Sequence, residues 1–204
     1  MRAVVAAFLV GLIVGVVFSF VGFFHLATPS NSSGPEQLVT RSITVSTTSP
    51  TGVNGIVSYC FSPGGDCAQV VVSWLLRANS SIHIMIYEFT LQSIANALIQ
   101  VHKQKPHVDI RIVWDQRTTN EESSQFNPLK AAGLNMDVRV NQMVGLMHDK
   151  VAIVDGHVII TGSFNWTWSA NKANSENLVV LDSNSVGEAY EQDFNIVWSE
   201  SMPS

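Results

Sequence analysis

The stretch MHDKVAIVDGHVIITGSFNW, residues 147–166, decides the fold. Asp155-Gly156 separates two apolar runs, the strongest short-range signal for a hairpin with a two-residue turn. That turn predicts a register in which Val154 faces His157, Lys150 faces Thr161 and His148 faces Ser163. Side chains alternate along a strand, so His148 and Lys150 share one face with Thr161 and Ser163, and Asn165 follows on the same side. One small surface then carries an imidazole, an ammonium, a hydroxyl and a carboxamide. Together they supply a nucleophile or proton carrier, a positive charge for an anion, and donors for phosphate oxygens. The chemistry points to a phosphodiester. Asp155 stands at odd separation from His148 and Lys150 and reads as a turn residue bonded to its own backbone.

Working outward, helical and strand patterns alternate. Residues 66–79 have a helical apolar face with Asp66 placed as N-cap, and 81–89 form a β-branched and aromatic strand. Residues 91–104 are helical, 107–115 a strand, 125–133 a short helix ending at Gly133, and 136–140 a strand. After the hairpin come a strand at 177–182 and a helix at 185–199. The expected class is α/β: a mixed β-sheet flanked by helices, with parallel βαβ units in its first half and at least one antiparallel pair in its second.

Residues 3–27 hold no Asp, Glu, Lys or Arg. At about 1.5 Å rise per residue they are long enough for a hydrocarbon core of roughly 30 Å, so 1–27 is expected to be a single-pass membrane anchor. Arg2 ahead of the span favours a cytoplasmic N-terminus and an extracytoplasmic bulk. Residues 28–55, rich in Ser, Thr, Gly and Pro, read as a flexible tether, leaving 56–204 as the folded domain. Cys60 and Cys67, the only cysteines, form a C-x6-C pair that reads as a local disulfide in an exported domain. No His lies close enough to complete a zinc set with them. The chain carries a net charge of −5, with basic residues few and scattered, which excludes the broad basic surface of a general nucleic-acid binder. A polyanion would be held locally, with Arg111, Arg117 or Arg139 as candidates to join Lys150.

His148, Lys150 and Asp155 stand as HxKxxxxD, and 162–165 as GSxN. With FSPGG near the start and NSEN at 174–177, the chain resembles the phospholipase D superfamily from about Tyr59 to Trp198. It is most similar to the small single-motif members, the Nuc-like bacterial endonucleases and the mitochondrial cardiolipin hydrolase (Zucchini) group. The resemblance implies the phospholipase D/nuclease fold and a two-step reaction without metal or other cofactor. One histidine attacks phosphorus, a second protonates the leaving oxygen, and water reverses the exchange. It also implies that Lys150, Ser163 and Asn165 hold or support the phosphate, with Asp155 in the motif, and that Glu176 orients a histidine.

The chain has one HxK, and His25, His83, His102, His107 and His157 lack its lysine. The second histidine is therefore expected from a second copy of the chain, making a homodimer with a shared active site. The expected activity is a metal-independent phosphodiesterase, foremost a membrane-anchored endonuclease. A phospholipase D-type hydrolase of phospholipid head groups uses the same site. An inactive binding module that keeps the fold is the third reading. The full Zucchini cysteine set is absent, which turns the resemblance away from that group's RNA processing.

Overall fold

The structure, a computed structural model, describes residues 55–139 and 145–204. The expected anchor, and the tether up to residue 54, lie outside the described residues. No helix among those described is long and apolar enough to cross a membrane.

In chain order the elements are β1 (Gly55–Ser62), α1 (Cys67–Leu75), β2 (Ser81–Ile86), α2 (Gln92–Gln104), β3 (Asp109–Asp115), α3 (Phe126–Ala131) and β4 (Asn135–Arg139). They continue with β5 (Lys150–Val154), β6 (Val158–Gly162), α4 (Trp168–Lys172), β7 (Glu176–Asp182), α5 (Asn184–Ser199) and β8 (Met202–Pro203). The strands make one sheet in the order β1-β7-β6-β5-β2-β3-β4-β8. β2, β3 and β4 run parallel, and every other neighbouring pair is antiparallel. This is the mixed sheet expected, with βαβ crossovers confined to the first half.

Alternation along the strands makes two apolar faces. Ile82, Ile84, Ile86, Ile110, Ile112, Ala152, Val154 and Ile160 pack with α1, α2 and α3 through Val71, Leu75, Ile94, Leu98 and Leu129. In α2 the buried residues Ile94, Ala95, Leu98 and Val101 recur at helical spacing, which commits that face to the sheet. On the other face Met85, Val113, Val151, Ile153 and Ile159 meet α5 through Phe194. Burying each such large side chain contributes about 1.5–3 kcal/mol. α5 starts where Ser183 Oγ accepts the Val186 N–H at 3.4 Å.

The hairpin departs from its predicted register by one residue. Asp155 and Gly156 take positive φ of 54° and 74°, and the His157 N–H reaches Val154 O at 3.3 Å, so the turn forms as expected. The ladder, however, pairs Val154 with Val158 and Ala152 with Ile160. His157 is an extra residue, bulged out of the pairing, because it docks the next layer. Its carbonyl accepts the Ser183 N–H at 2.9 Å, and Gly187 of α5 rests against its Cα. The slip inverts parity, so Thr161 points to the face opposite Lys150.

Other differences have local causes. β1 reads as tether and loop because its apolar residues do not alternate inward: Tyr59 and Phe61 are half-exposed while Cys60 and Ser62 are buried. Asp66 occupies the expected N-cap position of α1 but makes no capping bond with its side chain; its carboxylate instead accepts from Asn171 Nδ2 at 3.2 Å, tying α4 to the start of α1. Cys60 and Cys67 form the expected disulfide, with an S–S distance of 2.00 Å.

Candidate active site

The site residues sit where four strands end together: the C-terminal ends of β2 and β6, and the N-terminal ends of β5 and β7. Tyr87 and Glu88 follow β2, and the Tyr87 N–H reaches Asp149 O at 2.9 Å, extending the β2–β5 pairing to the turn before Lys150. His148 is exposed, and its ring lies 4.6 Å from that of Tyr87. Lys150 is buried, donates to His148 O at 2.6 Å and stands 5.2 Å from the Tyr87 ring centroid. Burial pushes its ammonium below the ordinary lysine range, while the carboxylates of Asp149, Glu176 and Glu88 pull the other way. A buried ammonium facing a partly open site is a ready-made counter-charge for a phosphate, since neutralising it there relieves an unfavourable burial.

Ser163 reaches this point through backbone geometry rather than strand alternation. β6 leaves β5 after Ile160 but follows β7 as far as Gly162 opposite Leu178. Gly162 has φ of 150°, and a Cβ there would stand 2.2 Å from Asn177 O, so only glycine fits the bend. Beyond it the Ser163 N–H bonds Asn177 O at 3.1 Å, and Ser163 Oγ donates to Glu176 Oε2 while accepting from the Asn177 N–H. Glu176 Oε1 accepts from Asn174 Nδ2 at 3.1 Å. Asn165 turns its amide to Glu88, with Nδ2 to Oε2 at 3.5 Å, and its Oδ1 is buried without a partner. His148, Lys150, Ser163, Asn165 and Glu176 are thus brought together.

Asp155 is not among them. It lies at the far end of β5, where its carboxylate accepts the N–H groups of Asn79, Ser80 and Ser81 and the Ser80 hydroxyl at 2.7–3.1 Å. These bonds, made to the α1–β2 loop and not to its own turn, hold its carboxyl below the usual range against the opposing effect of burial. Its part is to fix the hairpin that carries the site. Two of the candidate arginines are paired with aspartates of β3. Arg111 pairs with Asp109 at 2.7 Å on the α5 side, and Arg117 lies 3.7 Å from Asp115. The side chain of Arg139 lies outside the described residues. His83 packs on Phe194 at 4.6 Å and meets Glu191 at 2.7 Å, away from the site.

Three residues join the site from outside the motif. Asp115 is fully buried and accepts the Met147 N–H at 3.0 Å, tethering the backbone beside His148. Tyr87 supplies the ring under His148 and Lys150. Glu88 faces Asn165 and Lys150; burial raises its carboxyl, Glu121 adds to the shift and Lys150 opposes it. The sequence signal for Tyr87 and Glu88 is a polar pair inside the apolar strand 81–89, readable only once β2 is known to pair with β5.

A family model described as cardiolipin synthase, PLD-like domain, matches residues 71–198. Mitochondrial cardiolipin hydrolase of Xenopus tropicalis is 38% identical over 130 residues, 64% of this chain and 60% of that protein. The chain thus spans less than two thirds of that relative's length. A phospholipase D of Rickettsia prowazekii is 30% identical over 192 residues, covering 94% of this chain and 90% of the relative. The crystal structure of Nuc, a phospholipase D family member from Salmonella typhimurium, superposes with a TM-score of 0.66 at 31% identity, over 72% of this chain and 96% of the other. A family model over most of the folded strands and a relative matched along nine-tenths of both chains converge on the residues that carry the site, and the chain belongs to the phospholipase D superfamily of phosphodiesterases.

Proposed function

We propose that the protein is a metal-independent phosphodiesterase working through a phosphohistidine, as a membrane-anchored, Nuc-like endonuclease whose catalytic domain lies on the extracytoplasmic side. The observation that carries this reading is the exposed His148 imidazole set on Tyr87 beside the buried Lys150 ammonium. The His148 ring attacks phosphorus, and the ester oxygen on the opposite side leaves with a proton from a second histidine. Water, deprotonated by that second histidine, then breaks the P–N bond. The net change is phosphodiester plus water to phosphomonoester plus alcohol. Lys150, Ser163 and Asn165 hold the phosphate oxygens as charge shifts onto them.

The second histidine comes from a second copy of the chain. Within one chain Glu176 engages Ser163 and Asn174, and His83 and His157 are bonded elsewhere, to Glu191 and to the Asp155 carbonyl. In this reading Glu176 orients the partner's imidazole across a two-fold axis. The apolar span 3–27 supplies the anchor.

Hydrolysis of phospholipid head groups at the same site is the second reading. Leu146, two residues before His148, is a half-exposed apolar side chain close to the site in sequence. Full-length protein assayed on single-stranded DNA, RNA and phospholipid vesicles in excess chelator tests both. Cleavage of nucleic acid unaffected by chelator, with an acid-labile and base-stable phosphoryl group on His148 after quenching, is expected. Activity abolished by chelation and restored by a divalent ion overturns the mechanism.

A further inference from the structure

A cavity of about 380 Å³ lies beside the site at the end of the β1–β7 pair. Phe61 and Pro63 form its apolar wall, with Ser62, Ser175 and Asn177 around it, and Glu176 is common to the cavity and the catalytic cluster. A phosphodiester has two ester arms, and a phosphate held by Lys150 and Ser163 would lie next to Glu176, on the rim of the cavity. The cavity is therefore placed to take an arm of the substrate.

Its size and lining select which arm. It falls at the small end of the roughly 300–1,000 Å³ typical of small-molecule sites, enough for one compact group and too little for paired acyl chains. Its wall offers an aromatic face, and Asn177 carries both a donor and an acceptor, which suits a flat heterocycle with polar edges. Beyond the cavity, Tyr59 stands two residues from Phe61 on the same face of β1. The rings are 5.9 Å apart, and both residues are half-exposed, at 49% and 48%. Half-exposed aromatic rings spaced along a strand are the usual stacking platform for unpaired bases.

We propose that this cavity is a nucleobase subsite, with Phe61 as the stacking surface for the nucleotide next to the scissile phosphate and Tyr59 as the surface for the one beyond. The proposal rests on the nucleic-acid reading above and narrows it to single strands, because a base within a duplex has no free face. No lysine or arginine lines the cavity. The contribution of this cavity therefore comes from stacking and not from charge, which suits a chain of net charge −5 with few basic groups.

The test compares kcat and KM of the full-length protein on a short single-stranded oligothymidylate and on an abasic sugar-phosphate dinucleotide, a small diester with no base and no aromatic ring. Phe61→Ala should raise KM for the oligonucleotide by roughly 5- to 100-fold, the range a lost base–aromatic stack gives. It should leave the small diester unchanged. Phe61→Leu, which keeps apolar bulk and loses the ring face, should behave like Phe61→Ala, and Phe61→Trp should restore KM. Tyr59→Ala should weaken longer oligonucleotides and leave a dinucleotide unaffected. Oligonucleotide cleavage indifferent to Phe61, or an equal loss on both substrates, overturns the subsite while leaving the nuclease reading intact. Hydrolysis of the small diester with no cleavage of any oligonucleotide by the wild type overturns that reading and the subsite with it. A Phe61 effect confined to phospholipid vesicles assigns the cavity to a lipid arm and overturns the proposal.

Discussion

Glu88 sets a negative charge beside the group that must receive an anion. Its carboxyl is raised chiefly by burial, so the folded state binds its proton more tightly than the unfolded chain does. This group's favourable contribution is present at low pH and is lost as pH rises through the folded-state value, leaving a partly buried carboxylate that destabilises the fold at neutral pH. Glu88→Gln keeps an acceptor for Asn165 Nδ2 and removes the charge. It should raise Tm at pH 7, with the gain vanishing towards pH 4, and lower KM for a phosphodiester at pH 7 by several-fold, since one like charge beside the phosphate is worth about 1 kcal/mol at a partly exposed site. A KM unchanged by the substitution across that pH range would remove Glu88 from the substrate's surroundings. His148, Lys150, Ser163, Asn165 and Glu176 are all legible in the sequence because the motif spacing is local. Glu88, Tyr87 and Asp115 are not, because their place at the site depends on β2 lying between β5 and β3, a pairing between distant segments.

At the scale of the element, close approach decides what a helix can carry. Gly187 stands in the first turns of α5, where alanine would ordinarily gain about 1 kcal/mol in helix propensity. A Cβ there would stand 2.1 Å from Gly156 O and 2.8 Å from His157 Cα, both backbone atoms that cannot yield as a side-chain end would. Overlap should outweigh propensity: Gly187→Ala is expected to lower stability by roughly 1–3 kcal/mol, measured by denaturant unfolding, with a greater loss for Gly187→Val. A stabilised Gly187→Ala protein would mean that α5 does not lie against the hairpin. The βαβ run is readable from apolar period and punctuation, and so is the hairpin turn. The one-residue bulge is not, because its cause is α5, an element from the far end of the chain. β1 and β8 escape for a related reason: both lie at sheet edges, where one face needs no apolar pattern.

One histidine of the HxK kind per chain is a deficit for a reaction that needs two. If each active site needs His148 from two chains, His148→Ala should leave folding intact, since the residue is exposed, and abolish activity. Equal mixing of wild-type and variant chains with free exchange should leave about a quarter of the activity, the share of wild-type pairs at random pairing. Independent sites would leave about half, and a loss proportional to the variant fraction throughout the titration would exclude the shared site. On the shared-site reading, dilution below the dissociation constant of such a dimer should silence the protein without unfolding it.

His157 ties two distant parts of the chain into one mechanical unit. Deleting it would leave Val154 opposite Val158 and spare the β5–β6 ladder, so the hairpin alone would tolerate the loss. What disappears is the carbonyl that receives the Ser183 N–H and the Cα against which Gly187 rests. Shortening this turn is thereby felt as a defect at the start of the C-terminal helix, where Ser183 and Gly187 lose the backbone they pack on.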